Sequence, residues 1–311
     1  MKQKVLFVVG PTASGKSDAA VELALRLNGE VVSADSMAIY ERMDIGTAKP
    51  TPEEQRGIKH HMIDCVDPAR AYSVSEYKDD AQKCIAEISA RGKLPIVCGG
   101  TGLYVNALTM PLDFTSVKSD EDIRAKWEAY AAEHGNLALH DQLKAVDPVS
   151  AEQIHPNNVR RVVRALEIYE CTGIAKSAQA SLEKPFELPY EPVLMGITLD
   201  RAELYRRCDL RVDKMMQEGL LDEVKRLLDD GLSPDAQSMQ GIGYKELVWA
   251  LRGDISMEEA IELLKRNTRH LAKRQLTWFR ANDKIRWFEA TTAQEREKLC
   301  SQMELYSLGN F

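Results

Sequence analysis

Two rhythms of apolar and polar positions divide the chain. Lys4–Val9, Glu30–Ala34 and Leu94–Cys98 are short apolar runs bounded by Gly or Pro. Runs of that length without alternation predict strands buried on both faces, as in a parallel sheet. Between them the apolar spacing changes to three and four, with Asp18–Leu27 the clearest helix. Pro192–Leu199 and the shorter Ile285–Phe288 predict further strands of the same sheet. From about Pro111 to Pro189 there is no strand pattern. Glu121–Glu133, Leu137–Val146 and Asn158–Cys171 predict helices instead, and Pro185, Pro189 and Pro192 mark the return. Past Asp200, placed to cap a helix with Glu203 three residues on, the chain reads as helical nearly to its end. The pattern predicts an α/β fold in two parts. Residues 1–112 and 186–311 form a parallel sheet core with C-terminal helices, and residues 113–185 form a helical insertion.

Chemistry enters at the turns. Gly10-Pro11-Thr12-Ala13-Ser14-Gly15-Lys16-Ser17 fits G-x-x-x-x-G-K-[ST] at every fixed position, between the first strand and the first helix. The backbone of such a loop cradles a diphosphate, here with Gly10, Thr12, Ala13, Ser14 and Gly15, and the following helix N-terminus adds positive potential. Lys16 reaches the outer phosphates and the Ser17 hydroxyl sits on a magnesium ion. The loop assigns the core to the P-loop NTPase-like class, against a chance glycine-rich turn, but does not name the phosphorylated ligand.

Four further groups have two readings each. Asp35, at the end of the second strand, is a general base or a helix-type cap. Gly99-Gly100-Thr101-Gly102 permits close backbone approach to a ligand, with Thr101 the hydroxyl donor, or is a simple tight turn. No Asp ends that strand, so the usual second metal carboxylate of ATPases is missing. Arg207, Arg211 and Lys214 form one cationic stripe, able to clamp a diphosphate or merely solvated. On the Leu264–Arg280 helix, Lys265, Arg269, Lys273 and Arg280 share a face, with Leu264, Leu271 and Trp278 as a separate apolar seam. Trp278 and Phe279, beside Gln275 and Arg280, stack on an exposed base or belong to the core.

Composition changes the picture in two places. The chain's net charge is −7, yet Leu264–Arg286 carries eight Lys or Arg against the single acid Asp283, and local charge is what a phosphate backbone meets. Asn157-Asn158-Val159-Arg160-Arg161 offers a second, weaker RNA contact. The six cysteines are scattered without a C-x-x-C pair, which predicts reduced thiols in the cytoplasm and disfavours zinc. His60-His61 reads as a hydrogen-bonded loop pair. Val5–Val9 is too short for a signal core or a membrane span, so no membrane partner is expected.

Taken together, these segments resemble the bacterial tRNA dimethylallyltransferase family. The resemblance rests on the P-loop, on Ser33-Ala34-Asp35-Ser36-Met37 with Tyr40, and on Met43-Asp44-Ile45-Gly46-Thr47-Ala48-Lys49-Pro50. It continues through Gly99–Tyr104, Arg160-Arg161 with Arg164–Glu167, Gly241–Glu246 and Arg274-Gln275-Leu276-Thr277-Trp278-Phe279-Arg280. What it implies is transfer of a dimethylallyl group from dimethylallyl diphosphate to the exocyclic amine of the tRNA adenosine just 3′ of the anticodon. The P-loop then holds the prenyl diphosphate with Mg2+ rather than ATP for hydrolysis. Asp35 takes the amine proton, and Thr101 with Arg207 or Arg211 stabilises the departing diphosphate. The anticodon stem-loop touches Asp35, Ser36, Met37, Ala38 and Thr101, then Val159, Arg160, Arg161, Val162 and Val163. Gly243, Tyr244, Lys265, Arg269, Lys273, Arg274, Gln275, Trp278 and Arg280 complete the implied RNA contacts. The adenosine must be flipped out to reach the site, and a monomer is expected. A small-molecule or nucleotide kinase shares the loop and the sheet but has no use for the basic helix. A nucleotide-gated RNA-binding protein would leave Asp35 and Thr101 structural.

Overall fold

Six parallel strands form a single sheet in the computed structural model, which describes residues 2–110, 120–178 and 187–310. The strands are β1 (Gln3–Val9), β2 (Gly29–Ser33), β3 (His60–His61), β4 (Leu94–Gly99), β5 (Tyr190–Thr198) and β6 (Arg286–Glu289), in the order β3-β2-β4-β1-β5-β6. The helices up to the insertion are α1 (Lys16–Arg26), α2 (Pro52–Gln55), α3 (Val74–Ala90) and α4 (Gly102–Thr109). The insertion supplies α5 (Glu121–Val146), α6 (Pro148–Gln153) and α7 (Val159–Thr172). After β5 come α8 (Arg201–Gln217), α9 (Leu220–Asp229), α10 (Tyr244–Arg252), α11 (Met257–Arg280) and α12 (Ala293–Leu308).

The unbroken apolar runs follow from burial on both faces. Val5, Phe7 and Val9 point into one core with Val32 and Val97, where α3 and the helices after β5 cover the sheet. Leu6 and Val8 point into the other core with Val31 and Ile96, under α1 and α12. Val9 is in register with Gly99 on one side and Gly196 on the other, and Ser33 with Cys98. The loops after β1, β2 and β4 therefore open at one edge of the sheet. The chain leaves β1 toward β2 on one side and reaches β5 on the other, the reversal at which open α/β sheets form a ligand crevice.

Residues 1–110 and 188–311 make one compact unit, and Pro111–Glu187 a second. In the second, α5 is interrupted at Gly135, whose φ of 85° breaks it into the two predicted helical stretches. Leu139, Leu143, Val162, Val163 and Leu166 form its core. Fully buried Glu167 accepts from Asp120 N at 2.7 Å and Arg124 Nε at 3.0 Å and pairs with Arg164 at 2.8 Å.

Three expectations need correcting. The two-residue β3 is absent from the sequence reading because it is too short to show a period; it pairs with β2 at the sheet edge. Asp200 does cap α8, accepting from Ala202 N and Glu203 N, but Glu203 does not close a capping box, since Arg206 and Arg207 bind its carboxylate. The buried line of α11 is Ala260, Leu264, Thr268, Ala272 and Phe279, not Leu264, Leu271 and Trp278; Trp278 is 40% exposed. Among the described residues no helix is long and apolar enough to cross a membrane.

Candidate active site

The Gly10–Ser17 loop turns back on itself because Ala13 and Gly15 take left-handed backbone, at φ 63° and 84°. Gly10 is required by crowding, since a Cβ there would meet Ile197 O of β5 at 2.7 Å. Ser14 is 2% exposed, and its hydroxyl has no hydrogen-bond partner among the described residues. It lies in the wall of a cavity of about 490 Å³, with Lys16, Ser17, Arg207, Arg211 and Lys214. The cationic stripe of α8 thus faces the P-loop. A smaller cavity of about 60 Å³ adjoins, shares Lys16, Ser17 and Arg211, and adds Asp35, Ser33 and Cys98.

Two cations here are held against their solvation. Burial lowers the pKa of Lys16 below its usual value; Cys98 and Asp35 pull it back, and Arg211 lowers it further. Lys16 Nζ donates to Pro11 O at 3.2 Å. Burial likewise lowers Arg211, which Asp35 partly relieves, and its guanidinium donates to Thr47 O at 3.3 Å. Half-buried cations that, among the described residues, have no carboxylate partner favour an anionic ligand. Arg207 differs, because its Nε donates to Glu203 Oε1 at 2.8 Å. Hard oxygen donors line the same cavity at Ser17, Asp18, Asp44 and Glu54, the donor type magnesium takes beside substrate phosphates. Among the described residues no group of three His, Cys, Asp or Glu is spaced to hold a metal unaided.

Asp35 takes the capping role in the structure and keeps one carboxylate oxygen free of protein hydrogen bonds among the described residues. Oδ1 accepts from Met37 N at 2.9 Å and Ala38 N at 3.4 Å, which caps the turn, while Oδ2 has no hydrogen bond among the described residues. Thr101 Oγ1 accepts from Ser36 N at 3.0 Å and donates to Ser36 Oγ at 3.3 Å, tying the turns after β2 and β4 together. The glycines beside it have occupants in the fold itself. A Cβ on Gly99 would collide with the Ala34 backbone, one on Gly100 with the Gln275 amide, and one on Gly102 with the Trp278 ring. At Gly100 and Gly102 the close approach is by the basic helix, and at Gly99 by the chain leaving β2.

The remaining implied RNA contacts divide by exposure. Lys273, Arg274, Trp278 and Arg280 on α11 are exposed, and Arg160 and Arg161 are exposed on α7. Gln275 is committed to the P-loop, its Oε1 accepting from Thr12 N at 2.7 Å. Lys265 pairs with Asp213 at 2.7 Å and Arg269 with Asp209, both acids on α8. Val162 and Val163 lie in the core of the insertion, at 0% and 2% exposure, with Val159 packed beside them. Tyr244 is likewise turned into the protein. It is 0% exposed and its hydroxyl is bound to Glu223, and Gly243 is buried next to it. Sequence reasoning missed Glu223, Asp209 and Asp213, because single carboxylates on amphipathic helices look like solvated faces.

Residues 38–282 match the family model described as IPP transferase. The chain is 49% identical to a tRNA dimethylallyltransferase of Halalkalibacterium halodurans, over 99% of this chain and 96% of that protein. It is 50% identical to one from Geobacillus thermodenitrificans, over 95% and 93%. Among solved structures it resembles the full-length tRNA isopentenylpyrophosphate transferase of Bacillus halodurans, with TM-score 0.74 and 47% identity over 99% and 96% of the two chains. It also resembles a eukaryotic dimethylallyltransferase captured acting on tRNA, with TM-score 0.82 and 30% identity over 99% and 79%.

Proposed function

The chain belongs to the IPP transferase family and is a prenyltransferase that modifies tRNA, and from that premise we propose how its own residues divide the reaction. The donor is dimethylallyl diphosphate, bound with its diphosphate in the P-loop. The acceptor is the exocyclic amine of the adenosine 3′ of the anticodon, on a flipped-out nucleotide. The carbon–oxygen bond to the diphosphate breaks, its electron pair leaves with the diphosphate, and the amine nitrogen bonds to the released carbon. The amine proton passes to the Asp35 carboxylate.

The observation that carries this reading is the pair of half-buried cations, Lys16 and Arg211, shared by two adjoining cavities with Asp35 in the wall of the smaller. An aromatic amine is a poor nucleophile, so rate comes from positioning and from stabilising the leaving group. Lys16, Arg211 and the unpaired Ser14 hydroxyl supply donors where that charge develops, each such donor being worth about 10²–10³ in rate. Magnesium on the Ser17 hydroxyl would neutralise further charge on the leaving diphosphate. Exposed Lys273, Arg274 and Arg280 suit the RNA backbone and Trp278 an exposed base. Six free thiols support a reducing, cytoplasmic setting.

The test omits ATP. The protein is incubated with magnesium, radiolabelled dimethylallyl diphosphate and unmodified tRNA. Label enters RNA with the wild type and fails to with Lys16→Ala or Asp35→Ala, while Asp35→Ala still binds tRNA nearly normally. No label in RNA, together with phosphoryl transfer to a small acceptor in a parallel incubation with ATP, would overturn the reading.

A further inference from the structure

Glu223 stands outside every motif read from the sequence, yet it joins two of them. It is 1% exposed on α9, and its carboxylate accepts from three successive amides. Asp44 N and Ile45 N donate to Oε2 at 2.9 and 2.8 Å, and Gly46 N to Oε1 at 3.1 Å. The Tyr244 hydroxyl is a fourth donor, to Oε1 at 2.7 Å. The Tyr244 ring lies on Gly46, where a Cβ would meet it at 2.5–2.7 Å, so only glycine fits that place. Burial, reinforced by Glu223, pushes the Tyr244 phenol far above its ordinary pKa, which keeps it a donor.

The turn held this way belongs to the donor cavity. Asp44 and Ile45 are in its wall. The next residue, Thr47, is buried, donates through Oγ1 to Met43 O at 2.6 Å, and offers its carbonyl to Arg211 at 3.3 Å. That is the one protein hydrogen bond of Arg211 among the described residues. A chain of contacts therefore runs from Glu223 through the 44–47 turn to the guanidinium.

We infer that Glu223 is a positioning residue for diphosphate binding and departure, fixing the 44–47 turn and, through the Thr47 carbonyl, the place of Arg211. This rests on the diphosphate reading of the cavity. Glu223→Gln keeps the side chain's shape but turns an amide NH₂ toward backbone N–H groups. Tyr244→Phe keeps the ring on Gly46 and removes a single donor.

The experiment is a double-mutant cycle on the full chain, with inorganic pyrophosphate and magnesium as the calorimetric probe and steady-state transfer alongside. Glu223→Gln is expected to weaken pyrophosphate about tenfold and to lower kcat, with KM for tRNA unchanged. Tyr244→Phe shifts affinity the same way by less. In an Arg211→Gln background both effects shrink below about twofold, because the residue through which they act is gone. Equal weakening in both backgrounds would make Glu223 a folding residue and overturn the inference, as would unchanged affinity in both single variants. If Glu223→Gln fails to fold, the Tyr244→Phe cycle decides by the same criterion. A wild type that binds no pyrophosphate would overturn the cavity's reading and this inference together, whereas additive cycles on a binding wild type overturn the inference alone.

Discussion

Burial lowers the pKa of Lys16, and among the described residues no carboxylate pairs with its ammonium; Cys98, Asp35, Arg211 and Cys208 are the titratable groups that act on it. An anionic ligand stabilises the charged form, so ligand binding raises that pKa and takes up protons wherever free Lys16 is partly neutral. Affinity for pyrophosphate is then full below the free-state pKa and falls as pH rises through it. Titration calorimetry from neutral to alkaline pH should show this fall in the wild type and lose it in Lys16→Arg, because arginine stays charged throughout. An identical alkaline fall in both proteins would assign the effect to another group. At this scale Lys16 was legible in its motif, whereas Asp35 was legible only as a choice. Its two readings did not separate because a cap uses one carboxylate oxygen and leaves the other without a hydrogen bond among the described residues.

At the scale of elements, β1, β2, β4 and β5 were legible because burial on both faces writes itself as unbroken apolar sequence. The β3 edge is held by side chains instead. Glu30, 5% exposed at its side chain, binds His61 at 2.7 Å, Arg91 at 2.6 Å and Lys93 at 3.0 Å. Burial alone would raise its pKa; the bonds from His61, Lys93 and Arg91 outweigh that and hold it at about 2. Because the folded value is depressed, the stabilisation is complete above the ordinary 4.5 and is lost as pH falls toward about 2. Discounted for the exposure of Arg91 and Lys93, it amounts to about 2 kcal/mol. Urea unfolding should show Glu30→Gln less stable by that order at neutral pH, with the gap closing in acid. A gap that stays constant across that window would mean the carboxylate charge contributes nothing. The α11 seam was misread for a related reason. Its true contact line uses Ala272 against Leu204 and Cys208 of α8, and small residues that permit close helix approach leave little trace in a hydrophobic pattern.

The charge map of the whole molecule changes once α8 is placed beside α11. The sequence has a net charge of −7 with eight Lys or Arg on Leu264–Arg286, which reads as one basic strip. In the structure Asp213 and Asp209 occupy Lys265 and Arg269, while Lys273, Arg274 and Arg280 stand exposed. These acids belong to the same helix that presents Arg207 and Arg211 to the P-loop cavity, so α8 subtracts charge from the exposed face of α11 and adds it to that cavity. Each exposed cation that meets a phosphate should contribute ~0.7–0.9 to the slope of log affinity against log salt. Lys273→Ala and Arg280→Ala are therefore expected each to weaken tRNA binding and to flatten that slope by ~1, measured from ~50 to ~300 mM salt. Lys265→Ala should flatten it less, because Asp213 already neutralises that ammonium. The combined Asp209→Asn and Asp213→Asn variant releases two cations, so it should bind tRNA more tightly at low salt with a slope steeper by up to ~2. If that variant left the slope unchanged while Lys273→Ala flattened it, Lys265 and Arg269 would serve only the α8–α11 packing, and the RNA backbone would be met by the C-terminal half of α11 alone.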